Sequence, residues 1–405
     1  MVEVLRNIDH AAQPVRAGGP LGDGKRVVVC LGAGGVGKTT TAAALGLALA
    51  QAGRRVLVLT IDPSPRLMTA LGFEEAPGEP TRLPDASLAR LAAPLKGELY
   101  AQTLDRRALF DSLIREVAGS SAAEGIFGNR LYEYVASTLA GVHELMAVEQ
   151  MYRLYRSGRF DTIVLDTPPL VNAYDFLEAP RKVLSALDNK VSQWLVGERE
   201  QDEERVVGAK ARLARWALSR FTGEAFLGEL IELIRALRSV FAGFREHAAD
   251  VERIFAAQDT AFLVVSRPVD AALESARAAL AYLEAEGLAC EALLINAVSA
   301  ESLTPPPSAA ALEAERAAWF ALDAFSDAAI ARLSAADARL RARAQAERER
   351  LAHLIARNDG LAPDLLVAPE LERDVRTLDD IERIGRSYAP LGHPHGLSLP
   401  EGRAR

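Results

Sequence analysis

The hydrophobic positions of this 405-residue chain fall into two patterns that alternate along it. Two short unbroken apolar runs stand near the start: Arg26-Val-Val-Val-Cys-Leu31, closed by glycines, and Arg55-Val-Leu-Val-Leu-Thr60, closed by Asp62-Pro-Ser-Pro65. A strand buried on both faces needs an unbroken run of this kind, and such strands belong to parallel sheets. Between them, residues 39–52 repeat alanine and leucine at helical spacing and stop at Gly53. Strand, loop, helix, strand is the opening unit of a parallel α/β sheet.

The same reading continues downstream. A further short strand is expected within 87–94, helix over about 100–156, a strand at Phe160-Asp-Thr-Ile-Val-Leu-Asp166, and a long helical block over 174–257. Phe262-Leu-Val-Val-Ser266 and Ala292-Leu-Leu-Ile-Asn296 read as strands around a helix at 270–286. After the loop signal Pro305-Pro-Pro307, residues 308–357 are Ala/Arg/Glu-rich and helical, and Asp364-Leu-Leu-Val-Ala368 is a last strand. The chain therefore parses as a flexible leader at 1–24, one α/β domain at 25–387 with helical insertions at about 100–156 and 174–257, and a tail at 388–405. Mixed charge in the last long helix (Arg339, Arg341, Arg343, Glu347, Arg348, Glu349, Arg350) reads as a solvated face.

Composition narrows the function. Hydrophobic residues at 49% and charged residues at 25% are ordinary for a soluble globular protein. A net charge of −8 turns away nucleic acid as a partner, because phosphate backbones are met by basic surfaces. The N-terminal stretch lacks an apolar signal core, and the apolar run at 42–50 is about half a membrane span. A cytoplasmic chain without membrane insertion is expected. Cys30 and Cys290, each in an apolar run, read as buried small hydrophobes. There is no cysteine pair with zinc spacing, and His393-Pro-His395 lies in the Pro/Gly-rich tail.

The chemistry is carried by Gly32-Ala-Gly-Gly-Val-Gly37-Lys38-Thr39, a G-x-x-x-x-G-K-[ST] loop set between an expected strand and an expected helix. Glycines let the backbone turn tightly enough to aim successive N–H groups at a phosphate, and the helix N-terminus adds partial positive charge. The loop thus binds ATP through Gly34, Gly35, Val36, Gly37, Lys38, Thr39 and Thr40, with Lys38 on the β- and γ-phosphates and the Thr39 hydroxyl on Mg²⁺. Asp166, at a strand end, either orients Mg²⁺, directly or through water, or is a turn residue. Asp62 either holds the attacking water or caps the short helix expected at 64–71. Asn296, at another strand end, either reads the adenine edge or serves the turn.

These segments resemble those of the ArsA-like ATPases, a family of deviant Walker P-loop proteins. The likeness rests on Gly-x-Gly-Gly-Val-Gly-Lys-Thr-Thr at 32–40, Thr60-Ile-Asp62-Pro63 and Asp166-Thr-Pro-Pro169. It extends to Gly141-Val-His-Glu-Leu-Met-Ala-Val-Glu149 and the segment from Asp166 to Pro180, and covers about residues 26–387. The resemblance implies a mostly parallel P-loop NTPase sheet flanked by helices, with Asp62 as the water-activating residue of switch I and Asp166 opening switch II. It also implies ATP hydrolysis with Mg²⁺ by a dimer whose helical insertions meet a protein client.

The departures from the family pattern qualify that expectation. Ala33 stands where the family's signature lysine reaches the partner's nucleotide, so a slow binding module, one half of a heterodimer with a lysine-bearing paralogue, is the alternative. The arsenite-binding cysteine triad and the zinc C-x-x-C of relatives are absent, so neither site is expected. Phe226, Leu230, Leu233, Leu237, Phe241 and Phe244 form an apolar stripe that is either core or client groove. A positioning ATPase like the division-site regulators is disfavoured by the acidic chain and the Pro-broken C-terminus.

Overall fold

The computed structural model describes residues 15–16, 19–61, 65–129, 132, 142–168, 178, 247, 249–304, 306–320, 326–357, 364–371 and 373–390. The apolar runs build one nine-stranded sheet. Its strands in chain order are β1 (Val27–Leu31), β2 (Arg55–Thr60), β3 (Thr81–Arg82), β4 (Glu98–Thr103), β5 (Thr162–Asp166), β6 (Thr260–Ser266), β7 (Cys290–Val298), β8 (Asp364–Pro369) and β9 (Ala389–Pro390). Across the sheet they lie in the order β9-β8-β7-β6-β1-β5-β2-β4-β3. The pairings from β8 to β4 are parallel, and each two-residue edge strand is antiparallel to its neighbour. This is the mostly parallel P-loop sheet that the sequence predicts. β1, β5 and β6 are buried at every position, as strands covered on both faces must be.

The helices used below are α1 (Lys38–Gln51), α2 (Arg106–Ala118), α3 (Val142–Ser157), α4 (Asp270–Ala285), α5 (Asp327–Arg357) and α6 (Leu378–Arg386). The sheet divides the core in two. On one face Val27, Val29, Leu57, Leu59, Ile163 and Leu165 pack with residues of α2, α3 and α4. On the other, Val28, Cys30, Val58, Val164, Leu263 and Leu294 pack with α1 and α6. Because side chains alternate along a strand, the second face continues through Cys30, Thr60, Thr103, Asp166 and Asn296 toward the strand ends. Polar residues therefore gather beside the start of α1.

Four expectations are corrected. The strand placed at 87–94 is instead the four-residue helix Asp85–Leu88, and the neighbouring strand is β4, which takes the first residues of the stretch read as helical from 100. The alternation in Glu98-Leu-Tyr-Ala-Gln-Thr103 buries Leu99 and Ala101 on the α1 face, a period-two signal masked by the helix that follows. The region 308–357 is two helices, Ala309–Phe320 and α5, rather than one. The charged face of α5 is not wholly solvated, because Glu347 is buried. Cys30 is fully buried and Cys290 only partly, both as free thiols. No helix among the described residues is long and apolar enough to cross a membrane. The stripe at 226–244 and His393 and His395 lie outside the described residues.

Candidate functional site

The loop between β1 and α1 is shaped by glycines that no other residue replaces. Gly32 has φ 153° and lies against β6, so a Cβ there would meet the Val265 carbonyl oxygen at 2.2 Å. Gly37 has φ 99°, and its missing Cβ leaves the space taken by the Asn296 amide, 2.1 Å from where that carbon would sit. Gly34 and Gly35 are exposed at the crest of the loop. Gly37 is also the N-cap of α1 and offers no side-chain cap, and the first turn holds no acidic residue. The orphan N–H groups and positive end of a 14-residue helix are thus left for an anion.

Lys38 enters this space from the first position of α1. It is only 6% exposed, and its ammonium folds back to donate to the Ala33 carbonyl at 2.9 Å. Thr39 and Thr40 are half-buried in the same turn, and Thr41 N–H closes the first helical bond onto the Gly37 carbonyl at 2.9 Å. Val36 packs inward at 2% exposure, which pins the crest of the loop to the core.

The strand ends complete the ring. Asp166, 1% exposed, ends β5 and is in register with Cys30 of β1 on one side and Thr60 of β2 on the other. Its carbonyl accepts from Ile61 N–H at 3.1 Å, which ties the last described residue after β2 to the end of β5. Asp62 itself, with Pro63 and Ser64, lies outside the described residues. Thr167, the next residue, donates its hydroxyl to the Cys30 carbonyl at 2.7 Å. Burial, then the Asp166 carboxylate, pushes the Cys30 thiol far above its usual range, against the opposing pull of Lys38. A cation and a carboxylate thus flank one dry position at the base of the loop.

Asn296 reaches the loop from β7, and its amide donates to the Val36 carbonyl at 2.9 Å. The next residue, Ala297, has φ 55°, the one non-glycine at positive φ among the described residues. These two features were not legible in sequence, because Asn-Ala at a strand end carries no pattern beyond a turn. Two buried hydroxyls, Thr60 and Thr103, have no hydrogen-bond partner among the described residues and extend the polar row beyond Asp166.

The residues fit a magnesium nucleotide: glycine-cleared backbone donors, a buried lysine, a hydroxyl at the helix start and a buried carboxylate at the adjacent strand end. Comparison with known proteins agrees. Residues 25–333 match the model of the family described as anion-transporting ATPase. A putative arsenical pump-driving ATPase from Aquifex aeolicus is 27% identical over 293 residues, 71% of this chain and 67% of that protein. The ATPase GET3 of Podospora anserina is 29% identical over 238 residues, 58% of this chain and 62% of that one. The GET3 of Pyricularia oryzae is 31% identical over 166 residues, 40% and 45% of the two chains. The matches thus span about half to two thirds of the length of these relatives. With the family match running across the sheet from β1 to β7 and through the phosphate loop, the chain belongs to the anion-transporting ATPase family and is a P-loop ATPase of that family.

Proposed function

We propose that the chain binds ATP with Mg²⁺ on the loop from Gly32 to Thr39, hydrolyses it to ADP and phosphate, and uses the nucleotide state to switch a dimer that presents its helical region to a protein client. One observation carries the reading. The Lys38 ammonium is buried at the mouth of a helix without a side-chain cap and donates to the Ala33 carbonyl of the loop at 2.9 Å, which holds the cation where the loop's backbone donors would meet a phosphate. Backbone N–H groups from Gly34 to Thr40 bind the phosphates, and Lys38 orients and neutralises them. The Thr39 hydroxyl and the Asp166 carboxylate would hold Mg²⁺, Asp166 directly or through water; the ion supplies charge neutralisation between the phosphates. Asp62 holds the attacking water in line. Asn296 shapes the loop through Val36, and the rest of its amide would read the adenine edge. Coupling to a client and dimer closure rest on the resemblance of the motifs and on the length of the insertions.

The test is ATP binding by calorimetry and phosphate release by the purified chain with Mg²⁺, beside Lys38→Ala. Loss of binding by at least about tenfold in the variant is expected, since a charge-assisted contact on phosphate contributes more than ~1.4 kcal/mol. Wild-type protein that neither binds nor hydrolyses ATP, or a Lys38→Ala protein that equals it, would overturn the reading.

A second reading is favoured by Ala33. It is half-buried and packs toward the core on the α1 face, and a methyl group supplies no cation to a partner's nucleotide. On this reading the chain is a slow nucleotide-dependent binding module, one half of a heterodimer with a paralogue that keeps the lysine. Turnover per subunit measured against protein concentration separates the two. A steep rise in the wild type supports the self-activating dimer; a flat line that Ala33→Lys makes steep supports the module.

A further inference from the structure

We propose that Glu347, on α5 and outside the phosphate loop, is a positioning residue that fixes the loop through Ser299 and Asn296. The inference rests on the loop being the nucleotide site, as proposed above. Glu347 is 3% exposed in the middle of a 31-residue helix whose other charges face solvent or surface partners. Nothing about its own helix requires a buried carboxylate there. One carboxylate oxygen is met by groups just past the end of β7: it accepts from Ser299 N–H at 3.0 Å, from the Ser299 hydroxyl at 2.7 Å and from the Ser302 hydroxyl at 2.6 Å. The other oxygen accepts from Arg343 at 2.8 Å, one turn earlier on α5. Burial works against the charge of Glu347, but the hydroxyls of Ser302 and Ser299 and the Arg343 guanidinium outweigh it and hold the carboxyl below the usual range.

The chain between this lock and the phosphate loop is three residues long. Ser299 follows Val298, whose carbonyl accepts from Glu370 N–H at 2.8 Å, and Glu370 in turn accepts from Arg343 at 2.7 Å. Both sides of the β7 end are therefore clamped to α5. Before Val298 comes Ala297 in the left-handed region, then Asn296, whose amide holds Val36 and fills the space cleared by Gly37. A non-glycine residue stays at positive φ only where its surroundings fix the backbone on both sides. On one side that fixing is the bond from Asn296 to Val36; on the other it is Glu347 with Ser299. Removing Glu347 leaves the Val298 carbonyl on Glu370 N–H but takes away the hold on Ser299, so one end of the strained residue loosens and Asn296 withdraws from the loop more readily.

Two readouts test this. The first is hydrogen exchange in the nucleotide-free protein, with Glu347→Ala and the milder Glu347→Gln, each used below its own melting temperature. Faster exchange at residues 32–41 as well as at 296–302 is expected; acceleration confined to α5 and 299–302 overturns the proposal, whether or not the chain binds ATP. The second is a double-mutant cycle on ATP affinity with Asn296→Ala. Each single change is expected to weaken ATP about 3- to 30-fold, and the double variant to be no weaker than the worse single, because both act on one contact. Losses that multiply, or Glu347 variants that bind ATP like wild type, reduce Glu347 to a purely structural role. Failure of the wild type to bind ATP refutes the function proposed above and leaves the exchange experiment to decide this one.

Discussion

Asn296 and Val36 are 260 residues apart, yet one hydrogen bond of 2.9 Å from the Asn296 amide to the Val36 carbonyl ties the last parallel strand before α5 to the phosphate loop. Gly37 makes that contact possible, since any side chain there would overlap the amide. Gly37→Ala is therefore expected to disable the loop twice. Its φ of 99° costs an L-residue about 1–2 kcal/mol, and the new methyl displaces Asn296. ATP affinity should fall by at least about tenfold, the equivalent of ~1.4 kcal/mol, while the melting temperature moves little. Titration calorimetry beside a thermal melt checks both parts; unchanged affinity would mean that the amide contact is dispensable.

A second glycine of α1 has a packing role. Gly46 faces the sheet, and a Cβ on it would meet Val58 at 2.5 Å. Helix propensity alone favours Gly46→Ala by about 1 kcal/mol. Overpacking a tight core costs about 1–3 kcal/mol, so the net effect is destabilising, by up to about 2 kcal/mol. Val58→Ala also destabilises by itself, through the cavity it leaves. Combined, the methyl of one fills the space of the other, and the double variant should be more stable than the sum of the singles predicts. Urea midpoints of the four proteins measure this coupling; strict additivity would contradict the contact.

Much of this architecture is legible in the sequence, and the reasons are local. β1, α1, β2, β5, β6 and β7 are long runs of one period, and the phosphate loop is a fixed spacing of glycines with Lys38. β4 was hidden because its six residues adjoin a helix, so the period changes within one window. α6 was hidden by length: its nine residues are mostly charged, and burial of Leu378, Ile381 and Ile384 against α1 becomes visible only when the helix is folded back. Glu347 looked like its solvated neighbours on α5, because nothing in the sequence places Ser299 and Ser302 opposite it. Long-range polar contacts have no period to read.

The two cysteines offer a chemical probe of the same core. Cys30 is fully buried, and Cys290 is partly buried with its thiol near the Ala292 carbonyl at 3.6 Å. Burial pushes the Cys290 thiol up to about 12 and the Cys30 thiol higher, so almost no thiolate exists at pH 8. A thiol-reactive dye should therefore label neither residue rapidly in native buffer and both in denaturant. Labelling of Cys30 should follow unfolding, and ATP should slow it by stabilising the folded state. A fast phase at Cys30 in native buffer would contradict the burial of β1.

The pH dependence of stability should be carried in part by Asp380, at the start of α6. Its carboxylate accepts from Arg376 N–H at 3.1 Å, Thr377 N–H at 3.1 Å and the Thr377 hydroxyl at 2.9 Å, completing a capping box with Thr377. Arg373 and Arg383 add ion pairs at 2.9 and 2.8 Å, but both guanidinium groups are at least half exposed and so are screened. Burial works against the charge, yet the Arg376 N–H, the Thr377 hydroxyl and Arg373 together hold the carboxyl well below the usual carboxylate range. A carboxyl with a lower pKa in the folded state stabilises that state fully above the unfolded value of about 3.9, and the contribution is lost as pH falls below it. Asp380→Asn should thus cost about 1–2 kcal/mol at pH 7, as the loss of a cap and of charge-assisted bonds does. The difference from wild type should narrow steadily below about pH 5 and be largely unchanged by 0.5 M salt, because the backbone and hydroxyl bonds are the less screened share. Denaturant titrations of both proteins from pH 7 down to the acid limit of folding check this. A gap that is constant with pH would show that Asp380 is held by shape alone, and one that collapses in salt would assign it to the two arginines.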